Sequence, residues 1–142
     1  MSSMPTIRSR EIKIVQEIPI SKNLKFYEGL KEGKVYATKC KGCGKIYFPP
    51  NTDCSECLSM GLEWVELSSD AEIETFTHVV VRPTTFAQYK PYTVAIGRLK
   101  GGVKVLSWLT GFKLSEVKVG MKAKLVAKVT PEENATYEFV RP

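Results

Sequence analysis

The chain has 142 residues, 43% of them hydrophobic, and a formal net charge of +6. This length suits one small domain or two very small ones, and no apolar run approaches the ~18 residues that a transmembrane helix needs, so we expect no membrane span. The charge is uneven, with +6 over residues 1–45, −7 over residues 46–81 and +7 over residues 82–142. The two basic regions could contact phosphates, although an ordinary lysine-rich surface gives the same pattern.

The first third of the chain predicts an extended lead, a short helix and a strand. Residues 1–20 alternate weakly between apolar and polar positions. Ser21 then has the character of a helix N-cap, and residues 23–32 carry apolar side chains at helical spacing before Gly33, which suits a helix end. Residues 34–39 predict a strand that leads to the first cysteines.

All four cysteines of the chain lie in two Cys-x-x-Cys turns separated by ten residues: Cys40 with Cys43, and Cys54 with Cys57. Such a turn places two sulfurs on one side of the backbone, and two facing turns supply the tetrahedral four-thiolate shell that structural zinc takes. A closed shell leaves no open coordination position for catalysis. The spacing therefore predicts a structural metal site, with zinc as the metal and iron as the rubredoxin-like alternative.

Residues around the first turn favour this site. Gly42 and Gly44 permit backbone conformations that a side chain disfavours. Lys39, Lys41 and Lys45 partly offset the negative charge of a thiolate cluster, so they favour the thiolate over the thiol.

Two other uses of the thiols stay open. Two disulfides could form, in three alternative pairings. Residues 1–8 contain no apolar core of a secretory signal, however, which predicts a cytoplasmic location where thiols remain reduced. A redox-active dithiol is the other alternative, and two facing turns suit metal ligation better.

The residues after the first turn predict only short β elements. Residues 46–48 and 62–67 lead out of the two cysteine turns, which completes the strand and turn pattern of a zinc ribbon. Gly101-Gly102 predicts a hairpin turn, and residues 114–117 predict one helical turn. Five further strands are predicted, at residues 71–81, 92–99, 103–109, 122–129 and 137–140.

Five strands with a break after the third suit a small Greek-key barrel, the OB-fold. No long helical pattern alternates with the strands, which argues against a parallel βαβ sheet. The predicted fold class is mainly β, with an N-terminal short helix, a rubredoxin-like zinc ribbon and a C-terminal five-stranded OB-fold barrel. The predicted domains are an N-terminal extension with the short helix at residues 1–35, the zinc ribbon at residues 36–66 and the OB-fold at residues 67–142.

The alternation along the first barrel strand also predicts its faces. Ile73, Thr75, Thr77 and Val79 are expected to share one face of the strand. The other face is expected to carry Phe76, His78 and Val80.

Seven segments carry a resemblance to a known family. They are Phe26-Tyr27-Glu28-Gly29-Leu30 with Gly33, Cys40-Lys41-Gly42-Cys43-Gly44, Phe48-Pro49-Pro50, Cys54-Ser55-Glu56-Cys57, Ile73-Glu74-Thr75-Phe76-Thr77, Pro91-Tyr92-Thr93-Val94-Ala95 and Val119-Gly120-Met121. Their order and spacing resemble the family of acyl-CoA-associated proteins that join a rubredoxin-like zinc ribbon to an OB-fold. The likeness covers residues 22–140, and one departure is Ser55, which stands where proline is frequent.

The resemblance implies an accessory role without a catalytic mechanism of its own. Members accompany thiolases and related acyl-CoA enzymes, so the implied partners are a thiolase-like acyl-CoA enzyme and an acyl-CoA. Some members bridge an acetoacetyl-CoA thiolase to hydroxymethylglutaryl-CoA synthase, and others accompany hydratase-like folds in steroid or lipid side-chain degradation. The expected function is a non-catalytic acyl-CoA-binding scaffold subunit.

The loop between the first two barrel strands has the composition of a coenzyme A site. Coenzyme A combines a phosphate-rich end with a long amphipathic arm, so a site needs cations near an apolar channel. Arg82 and Lys90 could contact the phosphates, while Phe86, Tyr89 and Tyr92 could line the arm. The alternative is that the prolines stiffen this loop and its aromatic side chains cap the barrel.

Other conspicuous side chains are expected to be structural. Trp108 and Phe76 occupy strand positions typical of core residues, and His78 is a lone histidine on a strand. One basic row is expected to form a solvated face: Lys122, Lys124 and Lys128.

Two competing functions remain. Zinc ribbons and OB-folds also bind nucleic acid, but single-strand binders combine exposed aromatics with cations, and these two classes are not clearly interleaved here. An independent coenzyme A thioester enzyme would need catalytic groups, yet all the cysteines are assigned to the metal site and His78 is the only histidine.

Overall fold

The computed structural model describes residues 4–12, 14–131 and 134–142. The described part of the lead, up to residue 20, has no regular secondary structure and is exposed. Helix α1 spans Leu24–Lys31 and follows a 3-10 turn at Ser21–Asn23. The predicted N-cap at Ser21 is wrong: the Asn23 amide donates to the Ile20 carbonyl at 2.8 Å, so the 3-10 turn runs directly into the helix and Asn23 occupies the cap position.

Three short strands form an antiparallel sheet around the cysteines. They are β1 at Tyr36–Cys40, β2 at Ile46–Tyr47 and β3 at Leu62–Glu66, with β1 in the centre. We call the unit formed by β1 to β3 and the two cysteine turns the ribbon. β3 pairs with β1 at five positions, whereas the two-residue β2 pairs with β1 at only two.

The five remaining strands close into a barrel. Their order around it is β4, β5, β6, β8, β7, and β7 pairs with β4 to complete the circle. β6 and β8 run parallel and pair only at Leu109 and Phe139, while the other pairs are antiparallel. The strand bounds are β4 Asp70–Val79, β5 Tyr92–Leu99, β6 Lys104–Leu109, β7 Lys122–Val129 and β8 Ala135–Val140.

The predicted fold class is confirmed: the protein is mainly β, with a short N-terminal helix, a four-cysteine ribbon and a closed five-stranded barrel. The strands predicted at residues 92–99 and 122–129 have the predicted bounds. The predicted turn at Leu114 is a 3-10 turn over Leu114–Glu116. The division into domains at residues 35 and 66 stays a prediction.

The single face predicted for the first barrel strand is wrong beyond Ile73. The pairing register of β4 with β5 shifts between Ile73 and Thr75, which marks a β-bulge. One extra residue at a bulge exchanges the two faces of the strand. Thr75 and Thr77 are accordingly exposed, while Phe76 and His78 are half-buried.

The hydrophobic core lies inside the barrel and continues under α1. Gly97 is required here, because a Cβ at this position would lie 2.5 Å from Cζ of the buried Phe139. Helix α1 contributes Phe26 and Leu30 to the same core and packs against the ribbon as well as the barrel. The helix therefore joins the two units. None of the described helices has the length and apolar content to cross a membrane.

Candidate functional site

The four cysteine sulfurs lie together between the two turns. All four Sγ atoms are within 4.8 Å of one another, and the closest pairs, Cys40 with Cys57 and Cys43 with Cys54, are 3.5 Å apart. A tetrahedral zinc ion with Zn–S bonds of ~2.3 Å separates its sulfurs by about 3.8 Å, whereas a disulfide bond is about 2.05 Å long. The donor set and its spacing therefore fit a four-thiolate metal site, and the disulfide alternative does not fit these separations.

The backbone of each turn adopts a left-handed conformation directly after its second cysteine. Gly44 follows Cys43 with φ of +76°, and Leu58 follows Cys57 with φ of +58°. Glycine takes this conformation without strain, while leucine does so at a free-energy cost. The prediction for Gly42 is wrong, because its φ is not positive and a Cβ there would make only an ordinary contact with the Cys57 sulfur at 3.4 Å. The first turn therefore adopts its backbone conformation without strain, whereas the second turn is strained at Leu58.

The thiols of the cluster differ in how easily they ionise. The backbone amide of Cys57 and then the Tyr47 hydroxyl lower the pKa of Cys54 to about 6. The Ser59 amide lowers the pKa of Cys57, but the contacts of Cys57 with the Cys40 and Cys54 thiols and its partial desolvation raise that pKa to about 11. Negative charge on one sulfur opposes ionisation of the next, and a divalent cation removes this opposition.

The flanking residues tie the two turns together. Lys45, predicted to offset thiolate charge, forms an ion pair with Glu56 of the second turn and lies 5.2 Å over the Tyr47 ring. The Tyr47 hydroxyl is 3.2 Å from the Cys54 sulfur and accepts a hydrogen bond from the Ser55 amide at 2.9 Å. Sequence reasoning missed Tyr47, because nothing in the spacing of a tyrosine before a Pro-Pro pair indicates a contact with sulfur.

A second candidate site is a groove on the barrel beside the loop that connects β4 to β5. Its volume is about 840 Å³, and the loop enters it with Phe86 and Tyr89. Tyr92 does not line the groove but stacks on Trp108, with the ring centroids 4.3 Å apart and the planes 15° from parallel. The other lining residues are Val94, Leu106, Ser107, Trp108, Lys128, Thr130, Pro131, Thr136, Tyr137 and Glu138.

The two cations predicted for this site do not line the groove. Lys90 is exposed, and Arg82 is half-buried, with Nε and Nη1 buried and without a hydrogen-bond partner among the described residues. The cation of the groove wall is Lys128, whose ammonium group is 3.2 Å from the Glu138 carboxylate. The structure therefore brings the three predicted aromatic residues together, while the two predicted cations lie outside the groove.

Trp108 is the groove residue that sequence reasoning placed elsewhere. It was expected in the core, but it is half-buried and forms part of the groove wall beside Phe86 and Tyr89. The sequence did contain a signal for this position, because Trp108 is an aromatic residue on a strand and the preceding long loop is rich in aromatic residues. The expected packing role of His78 agrees with its position, because its Nδ1 is 3.0 Å from the Thr93 hydroxyl of the neighbouring strand.

Two of the three lysines in the basic row on β7 form ion pairs. Lys122 lies 2.8 Å from Glu72, and Lys128 lies 3.2 Å from Glu138, while all three lysines of the row are exposed. Ion pairs of this kind neutralise part of the charge that would otherwise attract a polyanion. This arrangement agrees with the expected solvated face.

Known proteins resemble this chain over both units. Residues 28–63 match the family model for the rubredoxin-like zinc ribbon domain of ChsH2, and residues 64–128 match the model for its C-terminal OB-fold domain. A DUF35 domain-containing scaffold protein of Methanocaldococcus jannaschii is 30% identical over 96 residues, which cover 67% of this chain and 68% of the relative. A protein of the same description from Pyrococcus furiosus is 34% identical over 90 residues, covering 63% and 65%.

A solved structure described as Ltp2-ChsH2(DUF35) aldolase contains a similar fold. The superposition has a TM-score of 0.73 and covers 84% of this chain and 93% of that chain. The sequence identity is 22%, so this likeness supports the fold alone.

Proposed function

The chain belongs to the ChsH2 family, in which a rubredoxin-like zinc ribbon precedes an OB-fold, and we propose that it is a non-catalytic scaffold subunit that binds an acyl-CoA beside a thiolase-like enzyme. The scaffold role is supported by the two relatives described as DUF35 domain-containing scaffold proteins, at 30% and 34% identity. The experiments below test the acyl-CoA and the partner separately.

The groove is the observation that carries the acyl-CoA part of the proposal. Its volume of about 840 Å³ is in the range of small-molecule sites, and its wall is largely aromatic and aliphatic. Such a wall suits the pantetheine arm or acyl chain of a coenzyme A thioester. Phe86 and Tyr89 would contact that arm, and Tyr92 would hold Trp108 against it.

The phosphate end of coenzyme A would bind to residues outside the groove. Arg82 belongs to the same loop, and its Nε and Nη1 atoms are buried without a hydrogen-bond partner among the described residues. An unpaired buried guanidinium is costly, and a phosphate from a ligand would satisfy it with charge-assisted hydrogen bonds. Lys90 is exposed in the same loop and would add a second positive charge.

The ribbon would hold a structural zinc ion through Cys40, Cys43, Cys54 and Cys57. When bound, the metal neutralises the thiolates and cross-links the two turns, and its closed shell leaves it no catalytic position. Iron is the alternative metal for the same four thiolates. A unit as small as the ribbon lacks the buried surface to fold alone, which is the physical need for a metal here.

The side chains of the groove support a scaffold more than an enzyme. Ser107 donates a hydrogen bond to the Tyr137 carbonyl at 2.6 Å, and Lys128 is paired with Glu138. Within the described residues, no cysteine or histidine lines the groove to act as nucleophile or base. Catalysis would then lie in the partner.

The proposed partner is a thiolase-like acyl-CoA enzyme of the cytoplasm. A more specific form of the role is a bridge from that enzyme to hydroxymethylglutaryl-CoA synthase, so that an intermediate passes between two active sites. This form rests on the family resemblance and is tested by the composition of the assembly.

The partner is tested by native purification of the tagged full-length chain from its own cells, followed by mass spectrometry of the intact assembly. A thiolase-like enzyme in fixed stoichiometry is the expected result. Recovery of the chain without an acyl-CoA enzyme, together with tight and salt-sensitive binding of single-stranded nucleic acid, would replace the scaffold proposal by a nucleic-acid one.

The groove is tested by calorimetric titration of the isolated chain with acetyl-CoA and longer acyl-CoAs. Tyr89→Ala should weaken binding roughly threefold to tenfold, since an aromatic contact contributes about 0.5–1.5 kcal/mol. Leu114→Ala is the matched control, because Leu114 is an exposed apolar residue outside the groove. Equal affinities for the wild type and both variants would refute the groove as the acyl-CoA site.

A further inference from the structure

Tyr47 stands where the two cysteine turns meet. It ends β2, the two-residue strand that leaves the first turn, and its hydroxyl reaches across to the second turn. The hydroxyl oxygen is 3.2 Å from the Cys54 sulfur, 3.0 Å from the Ser55 hydroxyl and 2.9 Å from the Ser55 amide nitrogen. Three contacts at one oxygen are more than packing of the ring requires.

The direction of these hydrogen bonds follows from which atoms carry a hydrogen. The Ser55 amide can only donate, so it occupies one lone pair of the Tyr47 oxygen. A metal-bound Cys54 is a thiolate and can only accept. The Ser55 hydroxyl is exposed to water, whereas Cys54 is only 1% exposed and its negative charge has little solvent to stabilise it. The Tyr47 hydrogen therefore goes to the sulfur.

We propose that Tyr47 is a positioning residue of the metal centre, which donates a hydrogen bond to the Cys54 thiolate and holds the second turn in its ligating conformation. This inference rests on the proposed metal site. Among the described residues, Tyr47 is the one side chain other than a cysteine within hydrogen-bond distance of any of the four sulfurs. The centre is thus asymmetric, with one thiolate held by a side chain and three held by their turns alone.

The second turn has a particular need for such support. Leu58 gives it a strained left-handed residue where the first turn has Gly44. A second side-chain contact with this turn is the ion pair of Lys45, the residue before β2, with Glu56. Both of these groups are exposed to solvent. Exposed ion pairs contribute little, so the Tyr47 hydroxyl is the stronger of the two links.

The test replaces the hydroxyl alone, with Tyr47→Phe in the full-length chain. Zinc affinity is measured by competition with a chromophoric chelator, and we expect it to fall roughly 10-fold to 100-fold, as for other residues that orient metal ligands. Tyr36→Phe is the matched control, because Tyr36 lies on β1 of the same ribbon and its hydroxyl makes no hydrogen bond among the described residues. This control should retain the wild-type affinity.

Two further measurements separate a contact with sulfur from general support of the turn. In the cobalt(II)-substituted protein, loss of the donor should move the thiolate-to-metal charge-transfer band to lower energy in Tyr47→Phe and leave it in place in Tyr36→Phe. Ser55→Ala removes the serine hydroxyl and keeps the amide, so it should cost much less affinity than Tyr47→Phe.

Two outcomes would overturn the role of Tyr47, and a third would refute the metal centre. Equal zinc affinity in Tyr47→Phe and the wild type, with metal bound by both, would overturn the role of Tyr47 and leave the metal centre intact. A loss in Ser55→Ala as large as that in Tyr47→Phe, with an unmoved cobalt band, would also overturn it, because the serine contact would then be the important one. A wild-type chain that binds neither zinc nor iron would refute the metal centre itself.

Discussion

The ribbon and the barrel are held together by different physical means. Barrel strands pair around a closed circle and enclose a continuous apolar core, while the ribbon has three short strands and few buried side chains. The buried residues of the ribbon are Ala37, Thr38, Cys40, Pro50 and Cys54. Among the described residues, those of the barrel and the loops that close it are Ala71, Ile73, Thr93, Ala95, Gly97, Leu99, Val103, Val105, Leu109, Val117, Ala123, Leu125 and Phe139.

This difference indicates the source of stability of each unit. A unit of about thirty residues buries too little apolar surface to offset its loss of conformational entropy, and the proposed metal would supply the balance. The barrel meets this requirement by hydrophobic burial. Two of the buried ribbon residues, Cys40 and Cys54, belong to the four-cysteine cluster, so the proposed metal site lies at the centre of the ribbon.

The largest effect is expected from Cys43→Ser, which removes one thiolate. The chain should lose its bound metal and the ribbon should unfold, because metal binding supplies about 10–16 kcal/mol in comparable zinc modules. Hydrogen exchange should show β1 to β3 unprotected while β4 to β8 remain protected. Thr52→Ala, an exposed change within the ribbon, should leave metal content unaltered. Full metal occupancy in Cys43→Ser would contradict the assignment of the four ligands.

The substitution that tests the barrel in the same way is Phe139→Ala. Phe139 is 0% exposed, and its removal should lower the free energy of unfolding of the barrel by about 3–5 kcal/mol. Denaturant titration with metal content followed in parallel measures both units, and the metal should be retained until the barrel unfolds. Val119→Ala is the control, because Val119 is exposed. A smaller loss in Phe139→Ala than in this control would show that the core is not the source of barrel stability.

Phe48→Ala tests the contact between the two units. The Phe48 ring lies 5.2 Å from the ring of Tyr137 on β8 and 5.9 Å from that of Phe26 on α1. Phe48 is half-buried, so we expect a loss of about 1–3 kcal/mol, below the range for a fully buried phenylalanine. The ribbon and the barrel should then unfold in separate transitions by calorimetry. A single transition, unchanged from the wild type, would mean that α1 alone couples the units.

The smallest effect is expected from Arg141→Ala. The Arg141 guanidinium, 2.6 Å from the carboxylate, and then the Lys113 amide lower the pKa of Glu116 below its ordinary value. A lowered folded-state pKa stabilises the protein above the pKa of the unfolded state, and this stability is lost as the pH falls through the folded-state pKa. The variant should raise the Glu116 pKa, measured by NMR titration.

The cost of Arg141→Ala in stability should be small at neutral pH, since both groups are partly exposed to solvent. The difference between variant and wild type should disappear in acid, where Glu116 is protonated in both. Lys118→Ala, a nearby lysine outside this pair, should leave the Glu116 pKa unchanged. A pH-independent difference in stability would indicate that the contact of Arg141 with the Phe112 ring is the more important one.

Local patterns were enough to predict most of the elements. The two cysteine turns predict a metal site by residue type and spacing, and the alternation over residues 92–99 and 122–129 defines two strands to the residue. These features depend on neighbours within a few positions, because turn geometry and the two-residue period of a strand are local properties of the backbone. The family resemblance uses the same information over a longer range.

The tertiary structure alone decided which side chains meet. The bulge after Ile73 reverses the faces of β4, and only pairing with β5 creates it. Trp108 becomes a groove wall because Tyr92, on the neighbouring strand, stacks on it. Tyr47 reaches Cys54 because the two turns face each other. Each case depends on strand register or on the approach of distant segments, which the period of a sequence does not encode.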